Sequence, residues 1–358
     1  MRIEELRRRL RELGAKPMHE HRLLRGWGQA LAPAPGQRSP LDGLPARVRA
    51  AWPDLQRELA GLVGLLSEHA GADGSSRLLL QLADGQNVEG VLLPRGGLCV
   101  STQVGCAVGC LFCMTGRDGL QRQLGSAEIV AQVVLARARR AVRRVVFMGM
   151  GEPAHNLDNV LEAIEFLGTE GGIGHKNLVF STVGDRRVFE RLPLGPVKPA
   201  LAISLHSTRV ELRARLLPKA PPLPPEELVE SAERYARATG YPIQYQWTLL
   251  AGVNDGEDEV EGIARLLAGK YAMMNFIPYN ANEGFGFQRP AWEHAVRLAG
   301  LLNRRGILTR LRNSVGQDVQ GGCGQLRARA AEFPIELARP DEARDASAPA
   351  RQSTTGNA

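Results

Sequence analysis

Cys106-Ala107-Val108-Gly109-Cys110-Leu111-Phe112-Cys113 places three cysteines within eight residues, and the fold prediction starts from this segment, called here the cysteine loop. The chain has only five cysteines in 358 residues. An odd, crowded set of this kind does not predict a framework of structural disulfides. Thiolates at such spacing are typical of a metal or iron–sulfur site. The surrounding fold is therefore expected to present a binding edge at residues 106–113.

Strands and helices alternate along the chain after a predicted strand at residues 98–102. Strand–helix alternation predicts parallel βαβ units, and about six repeats predict an α/β fold with a complete or partial (β/α) barrel. The further predicted strands are residues 145–148, 178–181, 201–205, 243–249, 274–278 and 307–311. The predicted helices between them are residues 127–141, 157–167, 225–238, 260–267 and 292–303.

The regions outside the barrel differ in pattern. Leucines recur at helical spacing near the N-terminus, which predicts a small helical accessory domain over residues 1–72 with a second helical run over residues 44–66. Two short runs on either side of a turn predict a β hairpin over residues 73–97. The barrel is assigned to residues 98–338. Residues 339–358, rich in Ala, Asp, Pro and Ser, are predicted to be a disordered tail.

Three thiolates fit an iron–sulfur cluster with one open position. A [4Fe–4S] cubane held by Cys106, Cys110 and Cys113 keeps one iron free for the amino and carboxylate groups of S-adenosylmethionine (SAM). The alternative is a zinc site that adds Cys99, but zinc knuckles usually pair two Cys-x₂-Cys units, which this spacing lacks. The spacing, with Phe112 before the last cysteine, resembles the signature of the radical SAM superfamily.

Polar residues gather where the predicted strands end. The active sites of (β/α) barrels lie at the C-terminal ends of the strands, so these residues are expected to line one mouth. The Glu152 carboxylate suits an ammonium group, whereas His206 alone is equally well explained as a core histidine. The segments concerned are residues 147–153, 181–182, 204–206 and 278–280.

Two cysteines and one carboxylate stand outside the cysteine loop. A lone cysteine is often a small buried hydrophobe. Glycines on both sides of Cys323 favour a flexible loop, and a second unassigned thiol, Cys99, favours redox or covalent chemistry. Glu89 lies in the apolar run at residues 88–93, and its spacing alone favours a strand residue that faces solvent.

Over residues 5–330 the chain closely resembles the RlmN/Cfr family of radical SAM RNA methyltransferases. The resemblance rests on several motifs besides the cysteine loop. They are Val-Glu-Gly-Val-Leu-Leu-Pro at 88–94, Cys-Val-Ser-Thr-Gln-Val-Gly-Cys at 99–106, residues 147–153, Ser-Leu-His at 204–206, Val-Asn-Asp-Gly at 253–256, Ile-Pro-Tyr-Asn at 277–280 and Cys-Gly-Gln-Leu at 323–326.

The resemblance implies a mechanism that consumes two SAM molecules per turnover. One methylates Cys323, and the second is cleaved at the cluster to activate the S-methyl group, whose carbon adds to C2 or C8 of an adenine. Glu89 is implied as the base that removes the ring proton. Cys99 is implied to release the product through a transient disulfide with Cys323. The implied SAM contacts are Gly151, Glu152, Ser181, Ser204, Leu205, His206 and Asn280.

The same resemblance implies the partners. They are an RNA substrate, 23S ribosomal RNA or transfer RNA, and a flavodoxin- or ferredoxin-type electron donor. The basic residues of the N-terminal helices are candidates for phosphate contacts, although a solvated helix face explains each one equally well. Residues 1–6 lack the apolar core of a signal peptide and no run of 18 apolar residues occurs, so we expect a cytoplasmic monomer with no membrane contact.

Two other functions are compatible with part of the sequence. A methylthiotransferase normally needs a second set of three cluster cysteines, and only Cys99 and Cys323 remain. An RNA-binding protein with a structural metal would explain the basic charge of +7 without catalysis. The chain also departs from the family: Met114 stands where many members carry a small residue, whereas Val315 and the segment Lys219-Ala-Pro-Pro stand where members usually carry basic residues. These departures bear on the RNA target.

Overall fold

The computed structural model describes residues 1–31, 39 and 41–328. Within them, ten strands form one sheet in the order β1-β2-β3-β4-β7-β8-β9-β10-β11-β12, and β5 pairs with β6 separately. The strands are β1 Val63–Ala70, β2 Ser76–Leu82, β3 Asn87–Leu93, β4 Gly97–Cys99, β5 Gln103–Gly105, β6 Leu120–Gln123, β7 Arg144–Phe147, β8 Leu178–Thr182, β9 Ala200–Ser204, β10 Ile243–Leu249, β11 Ala272–Pro278 and β12 Thr309–Leu311.

The part of the sheet from β4 to β12 is entirely parallel. Parallel neighbours require crossover connections, which the intervening helices supply. The two ends of the sheet, β1 and β12, do not pair with each other, so the barrel is open. The predicted α/β class and partial barrel are confirmed.

The helices cover the sheet and supply the predicted crossovers. Two short helices, α6 and α7, were not predicted from the sequence. The helices are α1 Ile3–Glu12, α2 Pro17–Gly28, α3 Ala46–Ala60, α4 Ser126–Arg137, α5 Leu157–Gly168, α6 Arg186–Arg191, α7 Val210–Leu216, α8 Pro225–Thr239, α9 Glu257–Leu267 and α10 Trp292–Arg304. None of the helices among the described residues is long and apolar enough to cross a membrane.

The N-terminal region is not wholly helical. The helical run predicted over residues 44–66 is wrong at its end, because α3 stops at Ala60 and β1 begins at Val63. Residues alternate between buried or half-buried and exposed positions along β1, which is the period of a strand with one covered face. The antiparallel pairing of β1 with β2 joins this region to the main sheet.

The predicted hairpin continues the same sheet. β2 and β3 pair antiparallel, and β3 then pairs antiparallel with β4 at the edge of the barrel. Leu79 lies opposite Glu89, and Val91 lies opposite Cys99. Opposed residues share a face, so Glu89 and Cys99 project to the same side of the sheet. The predicted tail at residues 339–358 lies outside the described residues.

A buried asparagine ties two loops at the mouth together. The Asn254 side chain accepts from the Leu250 N–H at 2.8 Å and donates to the carbonyls of His206 at 2.8 Å and Thr248 at 2.9 Å. Asn254 is 1% exposed, and its partners Leu250 and His206 are buried as well, so these groups depend on the side chain for their hydrogen bonds. The Val-Asn-Asp-Gly motif at 253–256 therefore has a structural function, which is to fix the loop after β9 against the end of β10.

Asn254→Ala should lower the free energy of unfolding by about 3 kcal/mol, because it removes three hydrogen bonds, two of which satisfy buried backbone groups. Urea denaturation of the variant and the parent protein measures the difference. Asn313→Ala serves as the control, since Asn313 is exposed and its loss should change stability by less than about 0.5 kcal/mol. Equal stability of the two variants would contradict this function of Asn254.

Candidate active site

The cysteine loop begins directly after β5 and is fixed at both flanks. The Cys106 N–H donates to the Gly119 carbonyl at 3.0 Å, and the Leu111 N–H donates to the Leu216 carbonyl at 3.0 Å. Gly105 has φ +75°, and a Cβ there would lie 2.0 Å from the Gly119 oxygen. Only glycine fits this turn, which directs the chain from β5 into the loop.

The three thiols of the cysteine loop interact with one another. Burial raises the pKa of Cys106 to about 12 and raises the pKa values of Cys110 and Cys113. For Cys110 the next causes are the charges of Cys113 and Cys106, followed by that of Glu152. Each thiolate thus opposes the next, so the set ionises only when a cationic centre compensates it.

This donor set fits an iron–sulfur cluster. The three thiols lie on one loop and interact electrostatically, and their ionisation requires positive charge of the kind that iron supplies. Within residues 1–31, 39 and 41–328, no group of three or more His, Cys, Asp or Glu is arranged to hold a single metal ion. The residues that would hold the cluster are therefore Cys106, Cys110 and Cys113.

Glu152 follows β7 and lies buried in the mouth. Its Oε2 accepts from the Val183 N–H at 3.0 Å and its Oε1 accepts from the Ala154 N–H at 3.0 Å. Burial raises the pKa of Glu152 to about 7, and hydrogen bonds from Thr182 and the backbone oppose this rise. Gly151 before it has φ +108°, and a Cβ there would lie 2.7 Å from Gln103. The pair forms a tight turn with a carboxylate beside the cysteine loop.

His206 follows β9 with the unusual φ of +60°. Its Nδ1 accepts from the Thr248 N–H at 2.9 Å, so the proton of the neutral ring is assigned to Nε2. The ring meets Phe112 of the cysteine loop edge-on, with centroids 4.8 Å apart. Burial, and secondarily Arg213, lowers the pKa of His206 to about 3. The structure thus supplies a neutral imidazole at the mouth rather than a cation.

Arg213 in α7 was missed by the sequence analysis. It is buried, and its Nη2 donates to the carbonyls of Val183 and Ser204, which follow β8 and end β9. Its Nε has no hydrogen-bond partner. Burial lowers the pKa of Arg213 to about 10, while Cys110 and Glu152 oppose this. The sequence does carry a signal for this burial. Arg213 shares the buried side of a short helix with Leu212 and Leu216.

Cys99 and Cys323 lie near each other and near the cysteine loop. Burial raises the pKa of the Cys99 thiol, and Cys323 is the second cause. Cys323 is exposed, yet surrounding protein atoms raise the pKa of its thiol while the Ser314 hydroxyl lowers it. The charge of Cys113 also raises the pKa of Cys323. All five cysteines are free thiols.

The segment at residues 321–328, called here the Cys323 segment, is bonded to the residues that directly follow the cysteine loop. The Met114 N–H donates to the Gly324 carbonyl at 2.8 Å, and the Thr115 hydroxyl donates to the Leu326 carbonyl at 2.6 Å. Asn280, at the end of β11, donates to the Cys323 carbonyl at 2.9 Å. The Asn280 Oδ1 is buried without a partner, which leaves one unused acceptor at the end of β11.

Glu89 is buried, so the solvent-facing position favoured by its spacing is wrong. The residue is 1% exposed, and the Arg77 guanidinium forms an ion pair with its Oε1 at 2.5 Å. Its Oε2 accepts from the backbone N–H groups of Arg327 at 2.8 Å and Ala328 at 3.1 Å. Long-range partners thus hold the carboxylate that local spacing assigned to solvent.

The remaining candidate positions differ in their location and burial. Ser181 and Ser204 lie in the last two residues of β8 and at the end of β9, as expected for the mouth. Leu205 is completely buried, and its N–H and carbonyl already bond with Gln246 and Ser207. The structure therefore brings the other candidates together at the mouth, whereas the Leu205 side chain belongs to the core.

The comparisons with known proteins agree on one family. The profile of the Radical SAM superfamily matches residues 100–267. A probable RNA methyltransferase of Aromatoleum aromaticum is 73% identical over 329 residues, covering 92% of this chain and 93% of that protein. A probable RNA methyltransferase of Pseudomonas aeruginosa PAO1 is 65% identical over 342 residues, covering 95% and 99%.

A solved structure agrees with the sequence matches. The crystal structure of a radical SAM methyltransferase from Sphaerobacter thermophilus is 36% identical, with a TM-score of 0.80 over 92% of this chain and 98% of that one. The chain therefore belongs to the radical SAM superfamily, and within it to the methyltransferases. Membership implies a [4Fe–4S] cluster and SAM, in agreement with the chemistry of the donor set.

His206 makes a specific contribution to the pH dependence of stability. Its folded pKa of about 3 lies below the ordinary value of 6.5, so the unfolded chain binds more protons between these values. Stability is therefore lost as the pH falls below 6.5, by about 1.4 kcal/mol per pH unit from this residue. His206→Asn tolerates the positive φ and should remove this part of the slope.

Urea unfolding of both proteins between pH 6 and pH 5 measures the difference in slope. The comparison cancels the contributions of other titrating groups, which the two proteins share. Parallel curves would show that His206 is protonated in the folded protein.

Proposed function

We propose that this methyltransferase acts on RNA and transfers a one-carbon unit through S-methylated Cys323 to a ring carbon of adenine, with C2 favoured. The observation that carries the proposal is the proximity of two free thiols, Cys99 and Cys323, outside the cysteine loop. A cluster needs only three cysteines, and a methyl carrier with a partner thiol accounts for the other two.

The cofactors would be held by the residues of the mouth. Cys106, Cys110 and Cys113 would ligate the cluster. The proposed SAM contacts are Gly151, Glu152, Ser181, Ser204, Leu205, His206 and Asn280. Bound together, the two cofactors supply a carbon-centred radical that abstracts hydrogen. A radical suits an adenine amidine carbon, which is too electron-poor to attack SAM directly.

The residues of the chain would divide the remaining work. Cys323 would accept a methyl group from one SAM molecule and present it as a thioether, so that two SAM molecules are consumed per turnover. Glu89 would accept the ring proton, and its ion pair with Arg77 holds the carboxylate in place. Cys99 would release the product by forming a transient disulfide with Cys323, the other free thiol outside the cysteine loop.

The RNA substrate is supported by the names of the relatives, which describe them as probable RNA methyltransferases. An adenosine of 23S ribosomal RNA is the proposed target, with transfer RNA as the second candidate. Methylation at C8 is the alternative to C2. A flavodoxin- or ferredoxin-type protein would supply electrons, and we propose that the enzyme acts as a cytoplasmic monomer.

Cys323→Ala should retain the cluster and SAM cleavage but yield no methylated RNA, because the carrier thiol is absent. Cys110→Ala should lose the cluster absorbance and all turnover, since a ligand is missing. Anaerobic purification, visible absorbance and mass spectrometry of digested 23S and transfer RNA measure these outcomes. Detection of 2-methyladenosine identifies C2, and 8-methyladenosine identifies C8. Methylated RNA from the Cys323 variant at the parent rate would contradict the carrier mechanism.

Cys99→Ala should accumulate a covalent protein–RNA adduct, because the thiol proposed to release the product is gone. Denaturing gel electrophoresis with labelled RNA detects the adduct, and Cys323→Ala is the matched control that should form none. Free methylated RNA at the parent rate would refute the release function of Cys99.

A further inference from the structure

The cysteine loop has an outer flank that the proposed chemistry does not use. Leu111 lies between two proposed cluster ligands, and it is 40% exposed, an unusual position for a large apolar side chain. Arg215, Pro218 and Lys219 are exposed beside it. These four residues are called the outer flank.

Backbone contacts fix the outer flank against the loop. The Leu111 N–H donates to the Leu216 carbonyl at 3.0 Å, and the Lys219 N–H donates to the Val108 carbonyl at 3.2 Å. A Cβ at Gly109 would touch the Pro218 ring at 4.0 Å. The end of α7 and the residues after it therefore contact the loop at Val108, Gly109 and Leu111, which lie between the proposed cluster ligands.

The charges of the outer flank lack partners. Neither Arg215 nor Lys219 forms an ion pair with a carboxylate of the described residues, whereas Arg209 nearby pairs with Asp258 and Glu259. Glu211 is the acidic side chain at the border of the flank, where it lines the same cavity as Arg215. Two unpaired cations around an apolar centre are complementary to an acidic protein surface with an apolar patch.

The other side of the loop is already occupied. The Cys323 segment bonds with Met114 and Thr115 in the part of the chain that follows the last cysteine. RNA must reach Cys323 under the proposed function, so it approaches from that side. The outer flank instead bonds with Val108 and Leu111 of the loop, so it contacts the segments between the cluster ligands rather than the residues after the last cysteine.

We propose that the outer flank is the docking surface for a small acidic protein that carries one low-potential electron. This inference rests on the proposed function and adds the position of its reductant. One electron passes from the reduced carrier to the cluster, so the carrier is oxidised by one electron and the cluster is reduced by one. Leu111 and Pro218 form the apolar centre of contact, and Arg215 and Lys219 align the carrier.

The test uses the double variant Arg215→Glu with Lys219→Glu in the anaerobic holoenzyme, with flavodoxin as the probe. Reversal of both charges should weaken flavodoxin binding about tenfold, measured by calorimetry at low salt. Flavodoxin-driven SAM cleavage should fall at subsaturating flavodoxin, whereas dithionite-driven cleavage should stay within about twofold because a small reductant needs no docking. Added salt should weaken binding of the parent protein more than that of the variant.

Arg265→Glu with Arg304→Glu is the matched control. Both arginines lie in the last turns of α9 and α10, at the end of the barrel away from the mouth, and make the same change in net charge. This control should bind flavodoxin within about twofold of the parent protein. Equal weakening in both double variants would show a nonspecific charge effect and would overturn the proposal.

Two further outcomes separate the possible failures. Unchanged flavodoxin binding, with turnover reduced equally under both reductants and a raised KM for RNA, would assign the outer flank to RNA and refute the docking proposal. Absence of SAM cleavage by the parent protein with dithionite would refute the proposed function, while the binding measurement would still decide where flavodoxin docks.

Discussion

Three buried thiols that oppose one another's ionisation impose the main constraint on this structure. A thiolate is poorly tolerated away from water, and Cys106 and Cys110 also have ionisable neighbours of the same sign. A cationic cluster removes that penalty, so the loop is suited to the cluster rather than to free cysteines. The buried Arg213 guanidinium, anchored by two strand-end carbonyls, adds positive charge on the same side.

The two flanks of the cysteine loop are covered by different parts of the chain. The residues after α7 bond to its first half, and the Cys323 segment bonds to the residues after its last cysteine. The Cys323 segment also caps the Glu89 carboxylate through its backbone N–H groups. The same segment therefore carries the proposed carrier thiol and binds the proposed base. Movement of this segment would change the hydrogen bonds of Glu89.

Much of the fold followed from local patterns in the sequence. The strand predicted at residues 243–249 coincides with β10, and the polar positions after β7, β8, β9 and β11 reach one mouth because parallel strands end at one edge. The cysteine loop was identified by spacing alone, which is a property of consecutive residues. The strand β1 was missed because a Leu-rich stretch directly after a helix is compatible with either structure.

Glu89 and Arg213 show what local patterns cannot supply. Glu89 is buried because it pairs with Arg77 on the neighbouring strand β2 and accepts hydrogen bonds from backbone amides more than two hundred residues away. Arg213 is buried because the carbonyls of Val183 and Ser204, where β8 and β9 end, accept hydrogen bonds from it. Neither set of partners is visible from spacing, since each forms only when the sheet and its loops have assembled.

The central claim is that the cysteine loop holds a cluster with one iron left for SAM. Electron–nuclear double resonance of the reduced protein with SAM carrying ¹⁵N at its amino group tests this most directly. The account predicts a hyperfine coupling between the nitrogen and the cluster, because the amino group binds the open iron. A reduced cluster without that coupling, or an anaerobic protein without iron, would contradict it.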